Sequence, residues 1–434
     1  MEKTKSKKLL IGFESDIPDS GTKEPKGQKK ASGKADQAKG HIWEFIAIAT
    51  IPMVLVLGNS MLVPILPQLQ SQLGISRFQS SLVITLFSIT AGLIIPISGY
   101  MSDRFSRKSV IIPSLIVYGA AGVLAGFGAI WKSYTIVVIA RTIQGIGAAG
   151  TASIAMALVG DLYKGATESK ALGLTEASNG AGKVVSPILG SLLALWVWFA
   201  PFFAFPVFCL LSLLAVIFIL KEPKKSNEPP KLRAYIQQIG SILKEKGKWL
   251  IPSFFAGSLA LFILFGVLFY LSDTLEKPPY NIDGVKKGFV LAIPLLCMVA
   301  TSYTTGALIK KNGTLMRWLM NIGLGIMTVS LALSIFFFNN LYIFIGLLSL
   351  SGIGTGLLLP CLNTMITGSV EREQRGMITS IYSSLRFIGV AFGPPIFEWM
   401  MKISNQIVFI TVSSLAFITL GLVFFLIKPK GKIA

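Results

Sequence analysis

Histidine is almost absent: His41 is the only one in 434 residues. That removes His-based metal sites and a Ser-His-Asp relay. It also leaves a multipass membrane enzyme, which would need His or paired acids near the membrane surface, poorly supplied. Cysteine is nearly as scarce, and Cys209, Cys297 and Cys361 stand alone in separate apolar runs, with no spacing for a metal site or a disulfide framework. No G-x-x-x-x-G-K-[ST] stretch occurs, which argues against an ATP-driven pump. Charged residues make up only 14% of the chain, where soluble domains carry about 25%.

Apolar sequence takes their place. Residues AVILMFWYC account for 53% of the chain, and its mean hydropathy is +0.68. A bilayer-spanning helix needs roughly 20 apolar residues, and such runs recur from Trp43 nearly to the end. The pattern predicts an all-α polytopic membrane protein with twelve spans, at 44–66, 80–101, 110–131, 135–159, 171–194, 199–220, 249–272, 286–309, 315–338, 342–366, 378–400 and 406–427. Lone Pro and Gly residues inside them are compatible with helices packed on neighbours. Residues 1–40 are rich in Lys, Gly and Ser and are expected to be a disordered tail. Their apolar patch "LLIGF" is too short for a signal peptide core.

The excess of bases is topological. With the N-terminus inside, inner segments hold 31 of the 40 Lys and Arg, and outer loops hold six: Arg77, Lys132, Lys277, Lys286, Lys287 and Lys402. By the positive-inside rule both termini are expected in the cytoplasm, in the cell membrane. The basic surface then meets anionic lipid, and no nucleic-acid partner is expected.

The longest polar interruption, 221–248, starts as a Pro/Lys linker. It continues with Leu232, Tyr235, Ile236, Ile239, Ile242 and Leu243 at helical spacing, as expected for a helix lying on the inner membrane face. It separates a six-helix half at 41–220 from another at 249–428, with a short cytoplasmic tail at 429–434. The halves correspond at one offset: Gly99 with Gly306, Gly145 and Gly147 with Gly352 and Gly354, Gly182 and Pro187 with Gly389 and Pro394, each 207 residues apart. Two related halves around a central site suit a transporter that alternates between two states. A channel fits less well, because no selectivity ring repeats.

Four motifs carry a resemblance to the major facilitator superfamily, and within it to twelve-helix drug:proton antiporters of the Gram-positive multidrug and siderophore exporter kind. It covers residues 41–428. "GYMSDRFSRK" is similar to the loop signature G-x-L-x-D-R-x-G-R-K through Gly99, Asp103, Arg104, Arg107 and Lys108, with Met101 and Ser106 departing from it. "LGNSMLVPILP" resembles the first-helix pattern through Leu57, Gly58, Pro64 and Pro67. "RTIQGIGAAG" matches the fourth-helix motif through Arg141, Gln144, Gly145 and Gly147. "GKVVSPILGS" resembles the antiporter motif G-x-x-x-G-P-x-x-G-G through Gly182, Pro187 and Gly190, with Ser186 and Ser191 in place of glycines. "GVAFGPP", with Gly389, Gly393 and Pro394, is its counterpart in the second half.

The resemblance implies proton-driven export of amphipathic small molecules by a monomer that needs no cofactor. An importer of a hydrophilic metabolite is the alternative. It further implies that Asp103 latches the N-terminal half to the start of span eleven, and it associates Arg141 with proton coupling, although a structural role beside "QGIG" competes. Lys310 occupies the position matching Asp103 in the second half.

A charge at mid-membrane costs roughly 2.5–3.5 kcal/mol on insertion scales, so each one calls for a function. The candidates are Arg141, Glu176, Lys183 and Arg386. Glu176, Asn179 and Lys183 form a polar face on span five, beside a small-residue stripe of Ser178, Gly182, Ser186 and Gly190 on which another helix can pack. Glu176 is the candidate proton carrier, with a fixed pairing to Lys183 equally open. Arg386 is expected to dock helices. With three bases against one acid, the cavity favours a neutral or anionic substrate, unless Lys183 and Glu176 only fix packing. Asp273 and Glu398, near the outer ends of spans, are assigned to the interface. At least half of the aromatics at Phe202, Phe203, Phe205, Phe254, Phe255, Phe262, Phe265 and Phe269 are expected to face lipid.

Overall fold

The computed structural model describes residues 29–163, 165–220, 232–309, 312–368 and 372–428, with the side chains at 29–42, 152, 160, 165–174, 176–177 and 372–375 outside that description. The described residues from Trp43 onward form one compact unit. Fourteen α-helices are described. They are α1 (Lys29–Ser60), α2 (Leu66–Leu73), α3 (Arg77–Arg104), α4 (Arg107–Ile130), α5 (Tyr134–Ala149), α6 (Ala152–Leu162) and α7 (Gly165–Ala194). There follow α8 (Ala200–Phe218), α9 (Leu232–Glu276), α10 (Gly284–Ile309), α11 (Gly313–Phe337), α12 (Leu341–Gly368), α13 (Arg372–Ile403) and α14 (Asn405–Leu426). Ten segments among the described residues are long and apolar enough to cross a membrane. The other two long helices, α7 and α13, carry the polar stripes.

The twelve spans pack as two matched sets of six. In the first, α3 packs on α5, and α4 on α5 and α8; in the second, α10 packs on α12, and α11 on α12 and α14. Glycine makes the equivalent approaches. A Cβ on Gly145 would strike the Phe87 carbonyl, and one on Gly352 would lie 2.5 Å from the Pro294 carbonyl, a pair displaced by the same 207 residues. Between the halves, α3 packs on α13 and α7 on α10, again a symmetric pair. Ser384 Oγ donates to the Gly92 carbonyl at 2.5 Å and Thr85 Oγ1 to that of Ala391 at 2.7 Å, which ties α3 to α13 along its length.

Several expectations need correction. Within the first span, Trp43–Leu73, helix α1 ends at Ser60, and the chain then turns through a 3-10 segment, Val63–Ile65, into α2. Pro64 and Pro67 supply no N–H to continue the first helix. Span four is two helices, broken at Gly150 and Thr151, where a Cβ on Gly150 would run into Ser114. The linker helix is not a separate surface element. It continues unbroken as α9 into span seven, since no proline lies between Leu232 and Ile251 to end it. α1 starts at Lys29, inside the stretch expected to be coil, where Ala31, Ala35 and Ala38 favour helix. Of the eight phenylalanines, six are buried and only Phe255 is well exposed. They pack between helices, where ring pairs such as Tyr118–Phe205 and Phe262–Phe397 form. The part of the tail before residue 29, the linker 221–231, Lys310 and the end beyond 428 lie outside the described residues.

Candidate functional site

The motif loop builds a compact charge cluster. Arg107, 8% exposed, donates from Nη1 to Asp103 Oδ1 at 2.6 Å and to Ser102 Oγ at 2.7 Å, and from Nε to Asp161 Oδ2 at 2.8 Å. Asp161 was missed in the sequence. It ends α6, and its visible signal was an acid closing the span that follows "RTIQGIG". Lys108 Nζ caps the end of α8, 2.8 Å from the Leu220 carbonyl, which suits a cation at a helix C-terminus. Arg104 is exposed, with Nη1 3.1 Å from Tyr100 Oη. Asp103 also faces the second half: its Oδ2 lies 3.8 Å from the point where a Cβ would sit on Gly376 near the start of α13. Above it, a Cβ on Gly99 would come within 2.5 Å of Ser380 Oγ, so the two helices touch there. Asp103, Arg107, Ser153, Gly376 and Ser380 line a small cavity at this seam.

Arg141 is fully buried, and its guanidinium is satisfied within the first half. Nε donates to the Val83 carbonyl at 3.0 Å, Nη1 to Gln144 Oε1 at 2.5 Å, and Nη2 to the Gly58 carbonyl and to Asn59 Oδ1, both at 3.0 Å. The Phe87 ring lies 4.3 Å from its carbon. These bonds knit α1, α3 and α5 together, and no ion pair to Arg141 occurs among the described residues.

The small-residue stripe of α7 meets α1. Ser178 Oγ donates to the Ala49 carbonyl at 2.8 Å, Ser186 Oγ donates to the Gly182 carbonyl, and Gly190 abuts the Met61 carbonyl. Its counterpart on α13 meets α9: Gly389 abuts the Ser258 carbonyl, and a Cβ on Gly393 would lie 2.7 Å from that of Phe262. Pro187, on the other flank of α7, meets α10 at Gly288, and Pro394 lies one residue beyond Gly393. Ala181, Val185 and Leu192 are exposed on a further flank of α7, as are Phe392 and Trp399 on α13. At ~100° per residue, the remaining strip of α7 carries Asn179 and Lys183, and that of α13 carries Arg386 and Val390. Glu176 belongs to the same strip of α7; its side chain lies outside the described residues.

Arg386 and Asn179 are 207 residues apart, so they hold the same place in the two halves. Both are half-buried, and both leave a buried polar atom, Arg386 Nε and Asn179 Oδ1, without a hydrogen-bond partner. The guanidinium of Arg386 lies 5.4 Å from the Tyr382 ring. Asp273 and Glu398, assigned to the interface, are in fact 6% and 2% exposed, because helices of both halves close over them.

The sequence model of the Major Facilitator Superfamily matches residues 48–328 and 278–433. The chain is 44% identical, over 89% of its own length and 96% of the relative's, to a protein of Bacillus subtilis (strain 168) named bacillibactin exporter. It is 29% identical to the multidrug efflux protein YfmO of the same organism, over 84% of this chain and 86% of that one. In fold it resembles a human organic anion transporter, with a TM-score of 0.71 at 20% identity, covering 88% of this chain and 99% of the other. The twelve-span duplicated architecture, the loop motif and a family match running through both halves agree, and this chain belongs to the Major Facilitator Superfamily.

Proposed function

We propose that this protein is a proton-coupled secondary transporter that exports amphipathic small molecules of neutral or anionic character. A secreted siderophore related to bacillibactin is the first candidate substrate and a lipophilic drug the second. The names of the two Bacillus relatives support export. The observation that carries the charge preference is Arg386, whose buried Nε has no hydrogen-bond partner on the polar strip of α13. Arg141 is spent on backbone and amide acceptors within the first half, whereas the Nε of Arg386 has no such acceptor. A buried cation in low dielectric attracts an anion and repels a cation.

Alternating access uses the two seams, α3 with α13 and α7 with α10. In this reading Asp103 biases the α3–α13 seam, Glu176 is a proton carrier, and protons are the only energy source. The protein lies in the cell membrane as a monomer with both termini in the cytoplasm, so the Arg77 end faces outward. Single-cysteine labelling at Gln238 or Ser241 should then fail from outside, and ready external labelling would reverse the orientation.

The function is tested in cells lacking other exporters, loaded with a panel that includes bacillibactin and cationic dyes. Expression of this chain should lower the accumulation of bacillibactin but not of the cations, and an uncoupler should abolish the difference. Extrusion of cationic dyes alone would refute the substrate reading, and extrusion that survives the uncoupler would refute the coupling.

A further inference from the structure

The Arg77 end holds a second charged cluster that neither the motif loop nor the polar strips use. Arg77 begins α3, and its Nε lies 3.3 Å from Asp273 Oδ1 on α9, an ion pair between the halves. Asp273 also pairs with Lys277 one turn on, and Ser272 Oγ donates to the Val63 carbonyl at 3.0 Å across the same seam. The neighbouring pair Lys287–Glu276 fixes α10 to α9.

Glu398 points into this seam. Ser384, Ala391 and Glu398 are seven residues apart on α13, which keeps them on one strip, and the first two meet α3 at Gly92 and Thr85. The same step along α3 leads to its start, where Arg77 lies. Glu398 is 2% exposed, its Oε2 is buried with no hydrogen-bond donor, and the nearest cation to Oε1 is Lys402 Nζ at 3.8 Å. The other charged groups acting on it are Arg77, Asp273 and Lys277. Arg77 and Lys277 are already engaged by Asp273. A buried carboxylate without donors is costly, whereas a neutral carboxyl is tolerated. Parting the seam would separate Arg77 from Asp273 and admit water to Glu398, where the ionised form is favoured.

We infer that Glu398 is a proton-binding site that controls this end of the transporter: the seam closes with Glu398 protonated and opens as it ionises. The inference deepens the transport reading by locating a proton, and it rests on that reading only for which face is external. Because protons bind the closed form better, acid shifts the population toward closure.

The test measures the gate directly. Spin labels at Gln72→Cys and Gln406→Cys, exposed positions on α2 and α14 at this end, are placed on protein lacking Cys209, Cys297 and Cys361. The distance between them is measured in lipid nanodiscs over a pH series, with no substrate. Acid should shift the distribution to the short, closed distance, and Glu398→Gln should hold it short at every pH. Lys402→Gln removes an exposed cation that favours the carboxylate, so the closing midpoint should move to higher pH. Should Glu398→Gln not fold, this surface variant decides the matter. A wild-type distance indifferent to pH, an unchanged response in Glu398→Gln, or an unmoved midpoint in Lys402→Gln would overturn the inference. Export that resists an uncoupler would refute the coupling reading while leaving the gate titration intact, so the two fail separately.

Discussion

The guanidinium of Arg141 lies 3.0 Å from the carbonyl oxygen of Gly58, joining the fourth span to the first at a point where no side chain could intervene. A Cβ on Gly58 would collide with Tyr118, whose hydroxyl donates to the Val54 carbonyl at 3.3 Å on the same helix. The arginine therefore works as a buried clamp with its donors directed at four acceptors.

Lysine cannot reproduce that fork, because its ammonium is a single point charge. Each hydrogen bond to a charged group contributes about 1.5–3 kcal/mol. Arg141→Lys should thus lower the thermal unfolding temperature of the purified protein clearly, along with transport. Unchanged stability combined with loss of proton-dependent export would instead place Arg141 in the coupling path.

Asp103 shares Arg107 with Asp161, so an amide at position 103 leaves the arginine one carboxylate partner. Asp103→Asn should therefore fold, reach the membrane and bind substrate. Its transport rate should fall about tenfold, the effect of ~1.4 kcal/mol of lost bias between states. A normal rate in this variant would reduce the loop to an anchor for the ends of α3 and α4.

Substrate charge is tested at Lys183. If the polar strip of α7 attracts anions, Lys183→Met should lose export of carboxylate- or catechol-bearing substrates and keep that of neutral ones. Equal loss of all substrates, repaired by adding Glu176→Gln, would make the lysine a packing partner of Glu176 and refute the anion preference.

Much of this was legible in the chain. The twelve long helices, ten of them apolar enough by themselves to span a membrane, and the 207-residue offset hold because both depend on local chemistry: span length, and the glycines that let backbones touch, as Gly145 and Gly352 do. The breaks in spans one and four were harder, since Gly150 and Thr151 look like any other small pair inside an apolar run. The loop arginine Arg107 was visible, but its second partner Asp161 was not, because α6 brings it back across 54 residues. Glu398 was misplaced at the interface for a related reason: its burial depends on α3 and α9 closing over it. The seven-residue spacing of Ser384, Ala391 and Glu398 was the available signal.

The most direct measurement of the central claim uses purified protein in liposomes, with bacillibactin on the side matching the cytoplasm and a pH gradient imposed in the absence of ATP. The account predicts bacillibactin movement toward the acidic compartment, with protons moving the opposite way, and no movement when the gradient is collapsed. It also predicts that Glu176→Gln weakens this coupled flux. Equal flux with and without the gradient, or proton entry that bacillibactin leaves unchanged, would contradict proton-driven export.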